Sequence, residues 1–171
     1  MNLLESLLNA NGGQSVSALA EQFGLSGEQT QGVLSQVLPA LAQGMQRNVS
    51  QEGGLESLLG ALASGNHSQY LDDPNTLGQA GTVDEGNGIL GHLLGSKDVS
   101  RAVADHASGN TGINSDLIKQ MLPVIASMAM GAMAQRSGSG SQEGLMGMLD
   151  FNHDGSAMDD VMGMLGKFFN R

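Results

Sequence analysis

The chain contains an internal repeat with a spacing of 84 residues. At this spacing residues 36–39 (Gln-Val-Leu-Pro) match residues 120–123 (Gln-Met-Leu-Pro), and residues 18–20 match residues 102–104. Such a repeat indicates that one supersecondary unit occurs twice, so it constrains the fold more than any single motif. A leucine pattern also recurs, at residues 4–8, 55–59, 90–94 and 145–149. The predicted unit is therefore a short helix, a helix, a proline-containing helix and a second short helix.

The spacing of apolar residues predicts an all-α fold. Apolar residues recur every three or four positions, and no stretch shows a sustained alternation of β-branched residues. Ser15 or Ser17 is expected to cap the second helix, which should end near Phe23. Ser26, with Gln29 three residues later, is a capping-box signal for a longer helix that contains Pro39. The stripe predicted to face the core is Thr30, Val33, Val37, Leu38, Leu41 and Met45.

Changes in composition divide the chain into four predicted regions. Residues 1–64 form the first pseudo-repeat, and residues 65–85 form a polar connector rich in glycine, in which about one turn of order is expected. Residues 86–135 form the second pseudo-repeat. Residues 136–171 begin with a Gly/Ser-rich stretch, whose composition is typical of a flexible linker. An acidic loop and an amphipathic helix are predicted to follow it.

Charge and cysteine content exclude several classes of function. The net charge is −10, and the seven Lys and Arg residues are spread along the chain, which disfavours binding to nucleic acid or to anionic membranes. No cysteine is present, which rules out disulfides, thiolate nucleophiles and Cys-type zinc sites. No secretory signal is visible, and the apolar run 121–134 is too short to span a bilayer. We therefore expect a cytoplasmic protein without a membrane span.

The strongest local motif lies at residues 150–156 (Asp-Phe-Asn-His-Asp-Gly-Ser). Oxygen donors at alternate positions followed by a glycine open a calcium loop of the EF-hand type. Position 12 of this loop is Val161, where an EF-hand has a bidentate glutamate. The alternative is a helix start, because residues 156–159 also read as a capping box. The candidate ligands for Ca²⁺ are Asp150, Asn152, Asp154, Ser156, Asp159 and Asp160; no other cofactor is indicated.

Residues 19–26 have the alanine, glycine and serine cap of a helix-turn-helix, which raises the alternative of a nucleic-acid-binding regulator. The helix that would read DNA, residues 26–45, contains no Lys or Arg. Phosphate contacts usually supply most of the affinity for DNA. A packing unit that contacts no nucleic acid is therefore the preferred interpretation, and nucleic acid is an unexpected partner.

Nine of the 11 methionines lie at or after Met121. Residues 117–135 are apolar on more than one side, and a helix of that kind needs more than one neighbour. Ordinary core packing explains this pattern, but Met-rich faces also adapt to partners. We therefore predict a homo-oligomer or a protein partner, bound through 117–135 and 158–169. No nucleophile–base pair can be named, so the chain is not expected to be an enzyme.

One segment resembles a known family. Residues 86–97 (Gly-Asn-Gly-Ile-Leu-Gly-His-Leu-Leu-Gly-Ser-Lys) are similar to the hallmark of the bacterial YidB-like proteins, a domain family of unknown function. Residues 71–74 (Leu-Asp-Asp-Pro), the two Leu-Pro helices and residues 159–163 extend the likeness over nearly the whole chain. The resemblance implies an all-α fold with a homeodomain-like tri-helical motif, and it supplies no catalytic residues. The predicted function is thus a non-enzymatic scaffold or interaction protein, self-associating, with a possible structural calcium site.

Overall fold

The computed structural model describes residues 3–54, 56–58, 60 and 69–136, and within these ranges every regular element is a helix. The all-α prediction is confirmed for this part of the chain. Short 3-10 helices occupy Ala10–Gly13 and Pro74–Gly78. The α-helices are α1 (Leu3–Asn9), α2 (Gln14–Phe23), α3 (Gly27–Val49), α4 (Gln69–Asp72), α5 (Ala80–Leu94), α6 (Lys97–Thr111) and α7 (Ser115–Arg136).

Helix α2 is bounded by glycines rather than by a serine cap. Gly13, at φ 84°, precedes the helix, and Gly24, at φ 65°, ends it. Both values lie in the left-handed region that glycine enters without steric cost. The predicted cap at Ser15 or Ser17 is wrong. Ser15 is buried, and its hydroxyl donates to the carbonyl oxygen of Leu71 at 3.4 Å instead.

Helix α3 begins and packs as predicted. The Ser26 hydroxyl accepts a hydrogen bond from the Gln29 backbone at 3.2 Å, and the Gln29 side chain accepts one from the Ser26 backbone at 2.9 Å. The helix continues for 23 residues through Pro39, whose ring is exposed. All six residues of the predicted core stripe are buried. Positions on the other face, including Gln31 and Gln43, are exposed.

Helix α7 forms the centre of the molecule. All 13 consecutive residues from Met121 to Met133 are buried, and the helix packs against each of α1 to α6. The apolar faces that were expected to need a partner are therefore covered by helices of the same chain. Between Ser115 and Gln135 the helix is long and apolar enough to cross a membrane, but 78% of its most apolar window is buried inside the fold. A core helix of this kind meets the same length and composition criteria.

The predicted connector contains ordered helical turns. Helix α4 and the 3-10 helix at Pro74–Gly78 lie within it, and Tyr70, Leu71 and Leu77 are buried in the core. The first helix of the second unit begins at Ala80 instead of near residue 86. The apolar residues here are too few for helical periodicity to be visible in the sequence.

The two copies of the repeat differ in the length between turn and proline. Gly24 and Gly112 each end a helix in the left-handed region, and they lie 88 residues apart. The prolines in the following helices, Pro39 and Pro123, lie 84 residues apart. The second copy thus has four residues fewer between its turn and its proline, which is about one helical turn.

Candidate functional site

The family-like segment at residues 86–97 forms the end of α5, a turn and the start of α6. Gly86 lies directly on α7, because a Cβ at this position would be 2.0 Å from the carbonyl oxygen of Pro123. Gly95, at φ 75°, ends α5. Ser96 then caps α6, since its hydroxyl accepts a hydrogen bond from the Val99 backbone at 3.3 Å. Close packing at one end and a sharp turn at the other therefore fix the position of this segment.

A groove of about 590 Å³ opens beside this turn. Its volume lies within the range of roughly 300–1,000 Å³ that is typical of ligand pockets. Helix α5, the turn, α6 and the start of α7 all contribute to it. The lining residues are Asn87, Leu90, Gly91, Gly95, Ser96, Lys97, Ser100, Arg101, Lys119 and Leu122, and we call this site the cationic groove.

The charged side chains that line the groove are all basic. Lys97, Arg101 and Lys119 are three of the four Lys and Arg residues whose side chains the structure describes. The apolar part of the lining comes from Leu90, which is 6% exposed, and Leu122, which is 1% exposed. Both leucines are almost fully buried, so the groove presents mainly positive charge to a ligand.

Nearby carboxylates pair with two of the three cations from outside the groove lining. Arg101 lies 3.3 Å from Asp98, and Lys119 lies 3.3 Å from Asp116 and 3.8 Å from Asp105. The three aspartate side chains are between 64% and 89% exposed. Exposed pairs of this kind contribute about 0–1 kcal/mol, so an anionic ligand can replace them at small cost. Within the described part of the chain, Lys97 has no ion-pair partner.

The start of α6 contributes Ser96 and Lys97 to the groove lining. Two of the first N–H groups, those of Val99 and Ser100, donate to the Ser96 hydroxyl and carbonyl oxygens. The N–H groups of Lys97 and Asp98 precede the first full turn and have no acceptor within the helix. Together with the helix dipole, they favour negative charge at this end of α6.

A buried phenol lies at the opposite end of α5. Tyr70 is 3% exposed, and its hydroxyl donates to the Glu85 carboxylate. Burial raises the pKa of the Tyr70 hydroxyl, and the hydrogen bond to negatively charged Glu85 raises it further. This pair joins α4 to α5. Because it links two helices through a buried side chain, we assign it a structural role.

Other candidate sites are small or lie outside the described residues. A cavity of about 70 Å³ beside Asn48, His92 and Met130 is well below the size of a typical ligand pocket. No group of three His, Cys, Asp or Glu residues that could hold a metal occurs in the described ranges. The predicted partner segment 158–169 lies outside the described residues. So do all the predicted calcium ligands, which are Asp150, Asn152, Asp154, Ser156, Asp159 and Asp160.

Sequence reasoning missed the cationic groove. Lys97 and Arg101 are four residues apart after a serine cap, a spacing that places both on one face of a helix. Lys119 follows 18 residues later, in the next helix. The signal for the first two was therefore present in the sequence, whereas the third joins them only because α7 packs against α6.

Comparison with known proteins gives one match. The family model described as "Bacterial protein of unknown function (DUF937)" matches residues 5–136, which include the whole groove. No curated protein and no solved structure matches the chain significantly. The family match covers more than half of the chain and agrees with the resemblance noted at residues 86–97. The chain therefore belongs to the bacterial DUF937 family of unknown function.

Proposed function

We propose that this chain is a non-enzymatic, cytoplasmic interaction protein that binds an acidic protein segment through the cationic groove. One observation carries the proposal. In a chain of net charge −10, three of the four Lys and Arg residues with described side chains line a single groove. Complementary charge steers association and selects partners, so this concentration of positive charge indicates an acidic ligand.

The spread of the cations narrows the class of partner. Lys97 and Arg101 come from α6 and Lys119 comes from α7. A peptide segment with several acidic residues would place carboxylates against all three side chains. Leu90 and Leu122 are almost fully buried, so they shape the groove and offer a ligand little apolar surface.

Nucleic acid is the weaker alternative. In a homeodomain-like fold, α3 and α7 would be the recognition helices that contact DNA. A recognition helix must expose one face to the major groove. The residues from Met121 to Met133 of α7 are enclosed in the core. The exposed residues of α3 include Glu28, Gln29 and Gln31, and its single basic residue is Arg47 in the last turn.

Self-association follows from the same charge distribution. A second copy of this acidic chain is a partner of the required kind. The proposed interface is the groove, which includes Lys119 and Leu122 of the predicted segment 117–135, because residues 121–133 are buried inside the fold. Light scattering of the full chain at tens of micromolar tests this. We expect a mass above the monomer for the parent, and a monomer for the variant Lys97→Gln, Arg101→Gln, Lys119→Gln.

A matched control variant distinguishes an effect of the groove from an effect of net charge on association. The variant Gln31→Glu, Gln43→Glu, Gln46→Glu changes the net charge by the same amount on the exposed face of α3. It should associate like the parent. A strictly monomeric parent would sink the self-association part of the proposal, and equal masses for the groove variant and the parent would show that association does not use the groove.

We also propose a structural calcium site at Asp150, Asn152, Asp154 and Ser156, closed by Asp159 or Asp160. Its support is the spacing of oxygen donors in the sequence. Calorimetric titration with Ca²⁺ tests it on the full chain. We expect binding heats for the parent and none for the variant Asp150→Ala, Asp154→Ala. Identical heats for both proteins would end the calcium proposal and would leave the groove unaffected.

A further inference from the structure

We infer that, in the self-associated protein, the cationic groove of one copy receives the Asp84 carboxylate from α5 of a second copy. The inference rests on the proposed self-association through the groove, and it names the complementary surface and the symmetry of the assembly. That surface consists of Asp84, Gly88, Gly91 and Gly95, all of which are exposed, and we call it the glycine face of α5.

The glycine face is a narrow stripe that runs into the cationic groove. In a helix of 3.6 residues per turn, positions 84, 88, 91 and 95 fall within about 60° of one another. The other side of α5 is buried and packs against α7. Gly91 and Gly95 also line the groove. A helix that lies on the glycine face therefore reaches the three cations as well.

The glycines in the middle of this face are not required for packing within the chain. A Cβ at Gly88 or at Gly91 would meet nothing within 4 Å, whereas a Cβ at Gly86 would collide with Pro123 of α7. Glycine inside a helix is destabilising relative to alanine. The distance between packed helices depends on the side chains at their contact, so Gly88 and Gly91 allow a second helix to approach α5 closely.

The spacing of the face is complementary to itself. We place two copies of α5 antiparallel, with a two-fold axis at the midpoint between Gly88 and Gly91. Each Gly88 then faces Gly91 of the other copy. Asp84 and Gly95 both lie about 8 Å from the midpoint along the helix, so each Asp84 meets the Gly95 turn of the other copy, beside Lys97. A two-fold axis repeats every contact, so two such charge contacts form together.

The charges at the two ends of the face match in the same register. Asp84 and Lys97 are both exposed, and neither has an ion-pair partner within the part of the chain that the structure describes. Arg101 and Lys119 line the groove beside Lys97. Complementary charges across an interface fix its register, so the antiparallel arrangement supplies each of these two side chains with an opposite charge.

Charge reversal tests the inference by light scattering of the full chain at tens of micromolar. We expect a dimer for the parent. The dissociation constant should rise at least about tenfold for Asp84→Lys and for Lys97→Glu, because each change brings like charges together twice. An equimolar mixture of the two variants should dimerise like the parent, since both contacts between unlike variants join opposite charges. The control Glu21→Lys, exposed on α2, should also dimerise. A monomeric parent, a mixture that stays monomeric, or masses above the dimer would overturn the inference.

A second pair of variants separates this inference from the proposed function. Gly88→Gln adds a side chain at the centre of the contact, and Gly109→Gln adds the same side chain at an exposed position of α6 with open space around it. We expect a monomer for the first and a dimer for the second. If Gly88→Gln and Asp84→Lys dimerise like the parent while the groove variant is monomeric, the glycine face is not the occupant and the groove remains the interface. Association of the groove variant like that of the parent would refute the groove as an interface and this inference with it.

Discussion

Helices α3 and α7 occupy matching places in the two copies of the repeat, yet they have different surroundings. Helix α3 buries one face and exposes the other, including Gln43 and Pro39. In α7 the residue that matches Gln43 is Ser127, which is fully buried. Both helices have a proline at the same repeat position and run for more than 20 residues. The two helices are therefore alike in length and in the position of their proline, and their environments differ.

This difference shows that two helices at matching sequence positions take up different places in the fold. Helix α7 contacts each of α1 to α6, whereas α3 lies at the outside with a polar face. Enclosure requires apolar residues on every side, which α7 has from Met121 to Met133. It also brings the start of α7 beside α6, where Lys119 completes the cationic groove.

The most direct test of the difference between α3 and α7 is the same substitution at both matched positions. Ser127→Lys places a charge in the core and removes a hydroxyl that donates to the Thr82 carbonyl at 3.1 Å. An unpaired buried charge should lower the free energy of unfolding by about 3–5 kcal/mol. Gln43→Lys, on the exposed face of α3, should change it by less than about 0.5 kcal/mol. Urea denaturation of both variants measures the difference, and similar losses would contradict the enclosure of α7.

The contact between α5 and α7 is the next test. Gly86→Ala would place a Cβ within 2.0 Å of the Pro123 carbonyl oxygen. Since this neighbour is backbone, the helices must separate, and we expect a loss of about 1–3 kcal/mol. Gly88→Ala, two residues later with open space around it, should instead stabilise the helix by about 0.5–1 kcal/mol. Thermal unfolding by circular dichroism compares the two; a stable Gly86→Ala variant would show that the helices do not approach this closely.

Tyr70→Phe tests the link between α4 and α5. It removes the hydrogen bond to Glu85, and bonds to charged groups contribute about 1.5–3 kcal/mol. The pKa of Tyr70 is raised in the folded state, so its stabilising contribution is complete below pH 10 and is lost as the pH rises through the folded-state pKa. Denaturation between pH 8 and 11 should show this loss for the parent. If the parent and the phenylalanine variant decline in parallel, the pH dependence has another origin.

The smallest expected effect concerns the two turns that precede the long helices. Ser26→Ala removes the hydroxyl half of the capping box, and Asn114→Ala removes the oxygen that accepts a hydrogen bond from the Asp116 backbone at 2.8 Å. Each should cost about 1 kcal/mol, because both side chains satisfy one free N–H group at the start of a helix. Chemical denaturation measures the free energy of unfolding of both variants. Equal losses would support the view that the starts of α3 and α7 are stabilised in the same way, and a loss for Ser26→Ala alone would contradict it.

Local signals predicted the helices well. The Ser26 capping box, the turn at Gly24 and the stripe from Thr30 to Met45 all depend on neighbours a few residues away, and the structure confirms each of them. The prediction failed at Ser15, because a tertiary hydrogen bond to Leu71 competes with the local cap. It also underestimated the order of the connector, where about one turn was expected and the structure has both α4 and a 3-10 helix.

The candidate site was only partly visible in the sequence. The spacing of Lys97 and Arg101 follows from helical periodicity alone. Their meeting with Lys119 depends on the packing of α7 against α6, and no local pattern encodes that contact. The acidic segment at residues 150–160 differs from the groove, because its composition is visible in the sequence but it lies outside the described residues.

The sequence by itself determined the all-α class, the Ser26 capping box and the family, because each of these depends on residue spacing along the chain. Only the tertiary structure decided which copy became the core and where positive charge collects. Those outcomes depend on contacts between helices that are distant in sequence, such as Gly86 on Pro123, and the free energy of such contacts comes from packing that no local pattern records.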